Sequence, residues 1–433
     1  MAKFIIQGRK KLAGTFAVLG AKNAAVKMLA ASIMIKGETT IHNVPRILDI
    51  LRMIEVIESI GVKTSFEGNT LKIDASRVNS FEPNEDPIKK LRGAVVIIGP
   101  LLSLFGEAKF FEPGGCIIGA RPIDYHIKAF EDMGVETNYS QENNRYHLKA
   151  NGSYRGGDKD ISLEEMSVTT TENALMAAVL RKGKTTIRIC ACEPEIVDLA
   201  NFLNQAGAKI TGAGTNTIVV EGVDKLNPTE YTEYTVMPDR IEAGTIAIAA
   251  AICGGKVEIT NIIPEHLSLV LNKFKNSNVD YQIEKTDKVY SKMIVDQKRE
   301  LIAPNTKWID TRPYPGFPTD LQSPFAVLMT QANGRSKIFE TLFEARFDYV
   351  KWLVEMGANI EVVNPFIVEI TGPTKLQGKK IESSDLRGGA ALLLAGLCAE
   401  GKTEIENVEF IDRGYENIDI RLNKLGASIE RTN

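Results

Sequence analysis

The sequence predicts an α/β (α+β) protein of two domains, each made of three copies of one small unit, with apolar helices inside and sheets outside. Three observations carry this. First, a short grammar recurs six times along the 433 residues: an Ala/Leu/Ile-rich helix, a Gly-centred turn, a β-rich strand, an amphipathic helix, a second glycine, then a hairpin. Second, the breaks recur every roughly 65–80 residues, too far apart for a solenoid, so each copy is a small α/β fold in itself. Third, the first helix of a copy is apolar nearly all round, as in Ala174–Leu180, Ile246–Ile252 and Ala390–Ala399, which suits a helix buried on every side.

Copy one runs from Leu29-Ala30-Ala31 through Gly37 to Ile50–Ile60, Gly61 and Leu71-Lys72-Ile73. Copy two turns at Gly106 and Gly134, and copy three at Gly183 and Gly207. Copy four turns at Gly255, with Asn278 in place of the second glycine; copies five and six use Gly334 with Gly357 and Gly401 with Gly426. The second glycine ends an amphipathic helix, where a left-handed residue is needed. Residues 196–205 show that helix, with Ile196, Leu199, Ala200 and Leu203 on one face. Pro122 suits a helix start, so a helix is expected from Asp124. Gly212–Asn216 lies between two apolar runs and reads as a hairpin turn. Cys190-Ala191-Cys192 alternates like a strand and reads as core. The strand Phe4–Gln7 has no helix before it, so it is expected to complete the last domain. Chain crossovers are expected near Leu19–Ala21 and Thr229–Thr235, giving domains 22–230 and 1–21 plus 231–433.

Composition narrows the function classes. The 52 Lys+Arg against 55 Asp+Glu leave no broad field to hold nucleic acid or an anionic membrane. No apolar run is long enough to span a bilayer, and the first residues lack a signal-peptide layout. Five scattered cysteines point to a reducing cytoplasm rather than a disulfide framework. No Walker loop is present, and no histidine pairs with a Cys or His at metal-ligand spacing. No protein partner is called for.

One loop concentrates chemistry: Pro113-Gly114-Gly115-Cys116-Ile117-Ile118-Gly119-Ala120-Arg121-Pro122. A thiol between glycines, beside a guanidinium and near a helix start, favours its ionised form and suits a proton donor or nucleophile. The alternative is a small buried hydrophobe. Basic residues recur at helix starts and loops: Lys22 in Gly20-Ala21-Lys22-Asn23, Arg121, Arg387 in Asp385-Leu386-Arg387, and Arg413 in Asp412-Arg413-Gly414-Tyr415, with Arg92 and Arg346 in comparable slots. One such residue alone reads as a surface charge, but recurrence across copies favours a shared anion. Asp320, in Phe317-Pro318-Thr319-Asp320, fits a helix cap better than a general base on local pattern alone.

Across its whole length the chain resembles the enolpyruvyl transferases, in particular the UDP-N-acetylglucosamine 1-carboxyvinyltransferases. The motifs are Gly20-Ala-Lys22-Asn23-Ala-Ala, Gly114-Gly-Cys116-Ile-Ile-Gly-Ala-Arg121-Pro, Glu193-Pro-Glu195-Ile-Val-Asp198, Pro238-Asp-Arg240-Ile-Glu242, Phe317-Pro-Thr-Asp320, Asp385-Leu-Arg387 and Asp412-Arg413-Gly-Tyr415-Glu. The resemblance implies two inside-out α/β barrel domains of three βαβαββ-type units each, with the site in the cleft between them. It implies transfer of the enolpyruvyl group of phosphoenolpyruvate to the 3′-hydroxyl of UDP-N-acetylglucosamine, releasing phosphate through a tetrahedral intermediate. That is the first committed step of peptidoglycan synthesis, so cell-wall growth, cell shape and division would depend on it. No metal or other cofactor is implied.

By the same resemblance Cys116 donates a proton to the substrate methylene and can carry a covalent adduct. Asp320 deprotonates the sugar hydroxyl, overriding the cap. Lys22, Arg121 and Arg413 hold phosphate, Arg346 and Arg387 hold the carboxylate, and Asn23 and Arg92 line the cleft. Arg121, Pro122, Ile123, Asp124 and Tyr125, with Ser167 and Val168, cradle the uridine, and Leu342 lies beside the sugar. Thr169-Thr170-Thr171 stands where many members carry a glycine-containing stretch, and Glu165 where some carry Lys. The competing expectations are a 3-phosphoshikimate 1-carboxyvinyltransferase-like enzyme, against which the Cys116 loop speaks, and a non-catalytic paralogue that binds the sugar nucleotide.

Overall fold

A computed structural model describes residues 2–114, 123–226, 231–304 and 308–432. These fall into two compact units, one of residues 20–114 and 123–237, the other of 2–19 with 238–432. Each has its own hydrophobic core.

In the first unit the central helices are Lys22–Ser32, Ile98–Phe105 and Val168–Val179. In the second they are Arg240–Cys253, Gln322–Thr330 and Leu386–Cys398. Every residue of Gln322–Thr330 and of Leu386–Cys398 is buried, so these helices show no polar face to solvent. Burying such a helix on all sides strengthens the hydrophobic term by about 25 cal/mol per Å² of apolar surface. It also requires small residues where helices touch, which the Ala/Gly-rich sequences supply. At Gly244 a Cβ would meet Leu321 Cδ1 at 2.5 Å.

Three sheets surround each helix set, among the described residues. The repeat is strand, core helix, strand, outer helix and hairpin, the βαβαββ order the resemblance implies, except that among the described residues the sheet of Glu107–Phe111, Arg145–Ala150 and Val135–Ser140 has three strands and lacks the first. The repeat's first strand is parallel to its second, as where Lys159–Ser162 pairs with Lys184–Arg188 and Lys380–Glu382 with Lys402–Glu406. In the opening copy of each unit this strand comes from elsewhere in the chain. Gly14–Ala17 precedes the helix Lys22–Ser32 yet pairs with Lys256–Ile262 in the second unit. Tyr231–Thr235 precedes Arg240–Cys253 yet pairs with Glu38–His42 in the first unit, so the strand after residue 230 belongs there. Lys3–Gln7 lies between Lys402–Glu406 and Ile429–Thr432.

The helix stops act as the sequence predicts. Gly61, Gly134, Gly207, Gly357 and Gly426 have φ between 99° and 102°, and Asn278 has φ 56°. Asn is the residue besides glycine that enters this region readily. The helices Asp124–Met133 and Pro194–Gln205 form as expected, and the turn 212–216 links Lys209–Thr211 to Thr217–Glu221. One detail differs. The strand before Cys190 ends at Arg188, because Ile189 turns left-handed at φ 61°. Cys190 is therefore buried from a loop, not from a strand.

Candidate active site

In the first unit the expected anion-binding side chains stand at helix starts. Lys22 and Asn23 open the helix Lys22–Ser32, whose first amides have no capping side chain. A lysine there opposes the helix dipole, so its charge must be balanced elsewhere. Asp49, 1% exposed at the start of the helix Leu48–Glu58, balances it with Oδ2 2.7 Å from Lys22 Nζ. Arg92 opens the 3₁₀ turn Arg92–Ile97, which packs on both Lys22–Ser32 and Val168–Val179. Its Nη1 donates to Pro113 O at 3.0 Å, and a Cβ on Gly114 would meet Lys89 O at 2.0 Å. The chain is thus fixed where the cysteine loop begins. Cys116, Arg121 and Pro122 themselves lie outside the described residues.

Ile123 is buried, while Asp124 and Tyr125 stand exposed in the first turn of Asp124–Met133. That helix packs on Val168–Val179, whose N-cap is Ser167 and whose first residue is Val168. Their joint is His126. Its Nδ1 lies 3.0 Å from Asn173 Nδ2 and its Nε2 lies 3.3 Å from Thr169 Oγ1. Asn173 Oδ1 accepts from Gly99 N and its amide group also donates to Val95 O, which sets the amide's orientation. His126 Nδ1 is then an acceptor and the ring is neutral. Burial, with Arg92 nearby, lowers its pKa to about 3.

The second unit gathers the other residues around one carboxylate. Asp320 sits in the 3₁₀ turn Thr319–Leu321, whose N-cap position is Pro318. It does not cap a helix, contrary to the local sequence pattern. Both oxygens are instead held by guanidinium groups: Arg346 Nη2 donates to Oδ1 and Arg387 Nη2 to Oδ2, each at 2.7 Å. The arginines are 7% and 4% exposed. Arg387 is the second residue of Leu386–Cys398, capped by Asp385, which accepts from the amides of Arg387 and Gly388. Its Nη1 donates to Tyr415 Oη at 3.3 Å, and Tyr415 Oη lies 3.0 Å from Thr245 Oγ1. Burial alone would loosen the Arg387 proton, but Asp320, Tyr415 and Asp239 outweigh it and hold the charge more firmly than usual. Arg413, 6% exposed, follows the short helix Glu409–Asp412, and Leu342 lies in the loop after Gly334–Phe339.

The structure thus brings Asp320, Arg346 and Arg387 into direct contact in one unit. It places Lys22, Asn23, Arg92, Asp124, Tyr125, Ser167 and Val168 at the starts of helices in the other, where Arg92–Ile97 packs on Lys22–Ser32 and on Val168–Val179, and Val168–Val179 packs on Asp124–Met133. Three side chains had no sequence signal: Asp49 and His126 above, and Glu340, whose Oε2 accepts from Thr319 Oγ1 at 2.7 Å beside Asp320. Asp49 lies in an ordinary amphipathic helix, Glu340 follows a plain strand, and His126 has no Cys or His at metal-ligand spacing. Tyr415 and Asp239 fall inside the quoted motifs, without a role.

A carboxylate clamped by two buried guanidiniums gathers fixed charge at one place in the second unit, an arrangement suited to handling an anion. Residues 6–422 match the EPSP synthase (3-phosphoshikimate 1-carboxyvinyltransferase) family, and the chain belongs to it. A relative from Caldanaerobacter subterraneus subsp. tengcongensis, called UDP-N-acetylglucosamine 1-carboxyvinyltransferase 2, is 43% identical and covers 100% of both chains. One of the same name from Streptococcus pyogenes serotype M3 is 44% identical over 99% of each chain. The UDP-N-acetylglucosamine 1-carboxyvinyltransferase of Desulfosudis oleivorans is 42% identical over 100% of this chain and 99% of its own. Among solved structures, the enolpyruvyl transferase NikO from Streptomyces tendae superposes with a TM-score of 0.86 at 23% identity, covering 100% of this chain and 99% of its own. The EPSP synthase of Acinetobacter baumannii gives 0.74 at 18% identity over 100% of both. These structures share the fold.

Proposed function

We propose that this protein transfers the enolpyruvyl group of phosphoenolpyruvate to the 3′-hydroxyl of UDP-N-acetylglucosamine, releasing phosphate, in the cytoplasm, as an early step of peptidoglycan synthesis. The observation that carries the chemistry is Asp320 held through both oxygens by Arg346 and Arg387. Phosphoenolpyruvate brings a carboxylate and a phosphate close together. Two buried guanidinium forks suit the carboxylate, and Lys22, Arg121 and Arg413 suit the phosphate. The substrate carboxylate takes over part of the arginine grip, which leaves Asp320 to accept the proton of the sugar hydroxyl as the oxygen attacks the central carbon. Cys116 gives a proton to the methylene carbon, so that carbon becomes a methyl group and a tetrahedral intermediate forms. The Cys116 thiolate then takes a proton back from the methyl, the C–O bond to phosphate breaks, the proton held by Asp320 leaves with the phosphate, and the enol ether remains. Positive charge developing on the central carbon is stabilised by the fixed Asp320 carboxylate.

Asn23 and Arg92 line the sugar side. Arg121, Pro122, Ile123, Asp124, Tyr125, Ser167 and Val168 hold the uridine, and Leu342 packs on the sugar. The relatives' names favour UDP-N-acetylglucosamine over shikimate 3-phosphate as the acceptor. The test is phosphate release from phosphoenolpyruvate with each acceptor. Release with UDP-N-acetylglucosamine and none with shikimate 3-phosphate is expected. The opposite pattern would transfer the assignment to the sister reaction, and nucleotide binding without turnover would make the protein a non-catalytic binder.

A further inference from the structure

Glu340 follows the strand Gly334–Phe339 and is completely buried. Its Oε2 accepts from Thr319 Oγ1 at 2.7 Å. Its Oε1 accepts from Thr311 Oγ1 and from the amide of Leu342, both at 2.9 Å. Thr311 Oγ1 itself accepts from Thr341 N, so its one proton is committed to Glu340. A buried carboxylate is expensive, and an apolar side chain would join strand to turn at lower cost. What the carboxylate adds is fixed direction. It ties the residue immediately before Asp320 to the residue expected beside the sugar.

We propose that Glu340 is a positioning residue, whose two oxygens hold the Asp320 turn and the Leu342 loop in one frame. This rests on Asp320 being the base of the reaction proposed above. Asp320 is supported from two sides. Arg346 and Arg387 grip its carboxylate, while Thr319 Oγ1 and Glu340 hold its backbone turn. In the proposed reaction the arginines are shared with the substrate's carboxylate, so their hold on Asp320 changes as substrate binds. The Thr319–Glu340 bond involves no group assigned above to the substrate, so in this proposal it holds the turn while the arginines are shared. At the far end of the same turn, Leu321 fills the space left by the missing side chain of Gly244. The base is thus carried on a turn pinned at both ends. A proton acceptor displaced by about 1 Å loses on the order of 100-fold in rate.

The experiment compares wild type with Thr319→Val and Glu340→Gln, measuring kcat, both KM values and the thermal midpoint. Thr319→Val removes the hydroxyl and keeps the shape. It is expected to lower kcat about 10- to 100-fold, with KM for UDP-N-acetylglucosamine changed less than about threefold. Glu340→Gln keeps one oxygen for Thr311 and Leu342 and turns an amide N–H toward Thr319, whose hydroxyl can rotate to accept it. It is therefore expected to retain most of kcat. A folded Thr319→Val enzyme with unchanged kcat overturns the proposal. So does a lower thermal midpoint with kcat per folded molecule intact, or a loss confined to KM. Wild-type protein without enolpyruvyl transfer removes the reaction itself and this role with it. Wild-type turnover with an unaffected Thr319→Val removes the role alone.

Discussion

At Ile189 the backbone sits at φ 61°, a conformation that β-branched residues avoid because Cβ crowds the next carbonyl. The matching positions of three other copies carry Asn43, Asn261 and Asn407, at φ 58°, 59° and 59°. Two of them use their side-chain amides as well, with Asn43 donating to Val236 O and Asn261 to Val18 O. Ile189 gains no such bond among the described residues and leaves 41% of its surface exposed. Ile189→Asn is therefore expected to stabilise the unit by about 1 kcal/mol, read as a higher urea midpoint at constant slope. Ile189→Val should give nothing, because valine is equally strained. Equal midpoints for wild type and Ile189→Asn would mean the strain is already relieved.

The helix Val168–Val179 shows what an element carries beyond its pattern. Its sequence forecasts a buried helix, and it is one, yet it also buries Glu172 and Asn173 completely. Glu172 lies 3.5 Å from Lys27 Nζ, with Glu195 and Glu193 also near, and burial outweighs the lysine to raise its pKa to about 8. The folded state then keeps a proton that the unfolded chain releases near pH 4.5. Stability from this group is present below that pH and is lost as pH rises toward 8, by about 1.4 kcal/mol per unit. His126 on the adjoining helix has the opposite sign. Its folded pKa is lowered to about 3, so its contribution is present above pH 6.5 and is lost as pH falls. Glu172→Gln should therefore gain stability over wild type between pH 5 and pH 8, by roughly 2–4 kcal/mol, in paired urea titrations. A constant difference across that range would show that Glu172 is ionised throughout. Much of this element level was legible in advance. Helix stops depend on neighbouring residues, and all six were placed, including the one where Asn278 replaces glycine. The pairings were not. Asp320 and Arg387 are 67 residues apart, and no local period reports which carboxylate a guanidinium will meet. Asp320 looked like a cap for that reason, since the prolines beside it were visible and its partners were not.

At the scale of the whole chain the two units are built from different stretches. Residues 20–114 and 123–237 supply one, whereas the other needs 2–19 together with 238–432. Lys3–Gln7 is an inner strand of its sheet, and Phe4 and Ile6 are completely buried in that core. Gly14–Ala17 adds a parallel edge to Lys256–Ile262, where Phe16 packs. The first unit has an analogous debt, met by Tyr231–Thr235 within its own continuous run. Segment 20–237 expressed alone should therefore unfold cooperatively in urea, with ordered near-ultraviolet dichroism. Segment 238–433 alone should not, because it lacks an inner strand and the deletion of two large core side chains costs about 3–5 kcal/mol each. Adding residues 1–19 through a short Gly/Ser linker ahead of 238 should restore its transition. Cooperative folding of 238–433 without them would mean that the sheet closes on Lys402–Glu406 and Ile429–Thr432 alone, and that the N-terminal strand is an ornament of the fold rather than part of its core.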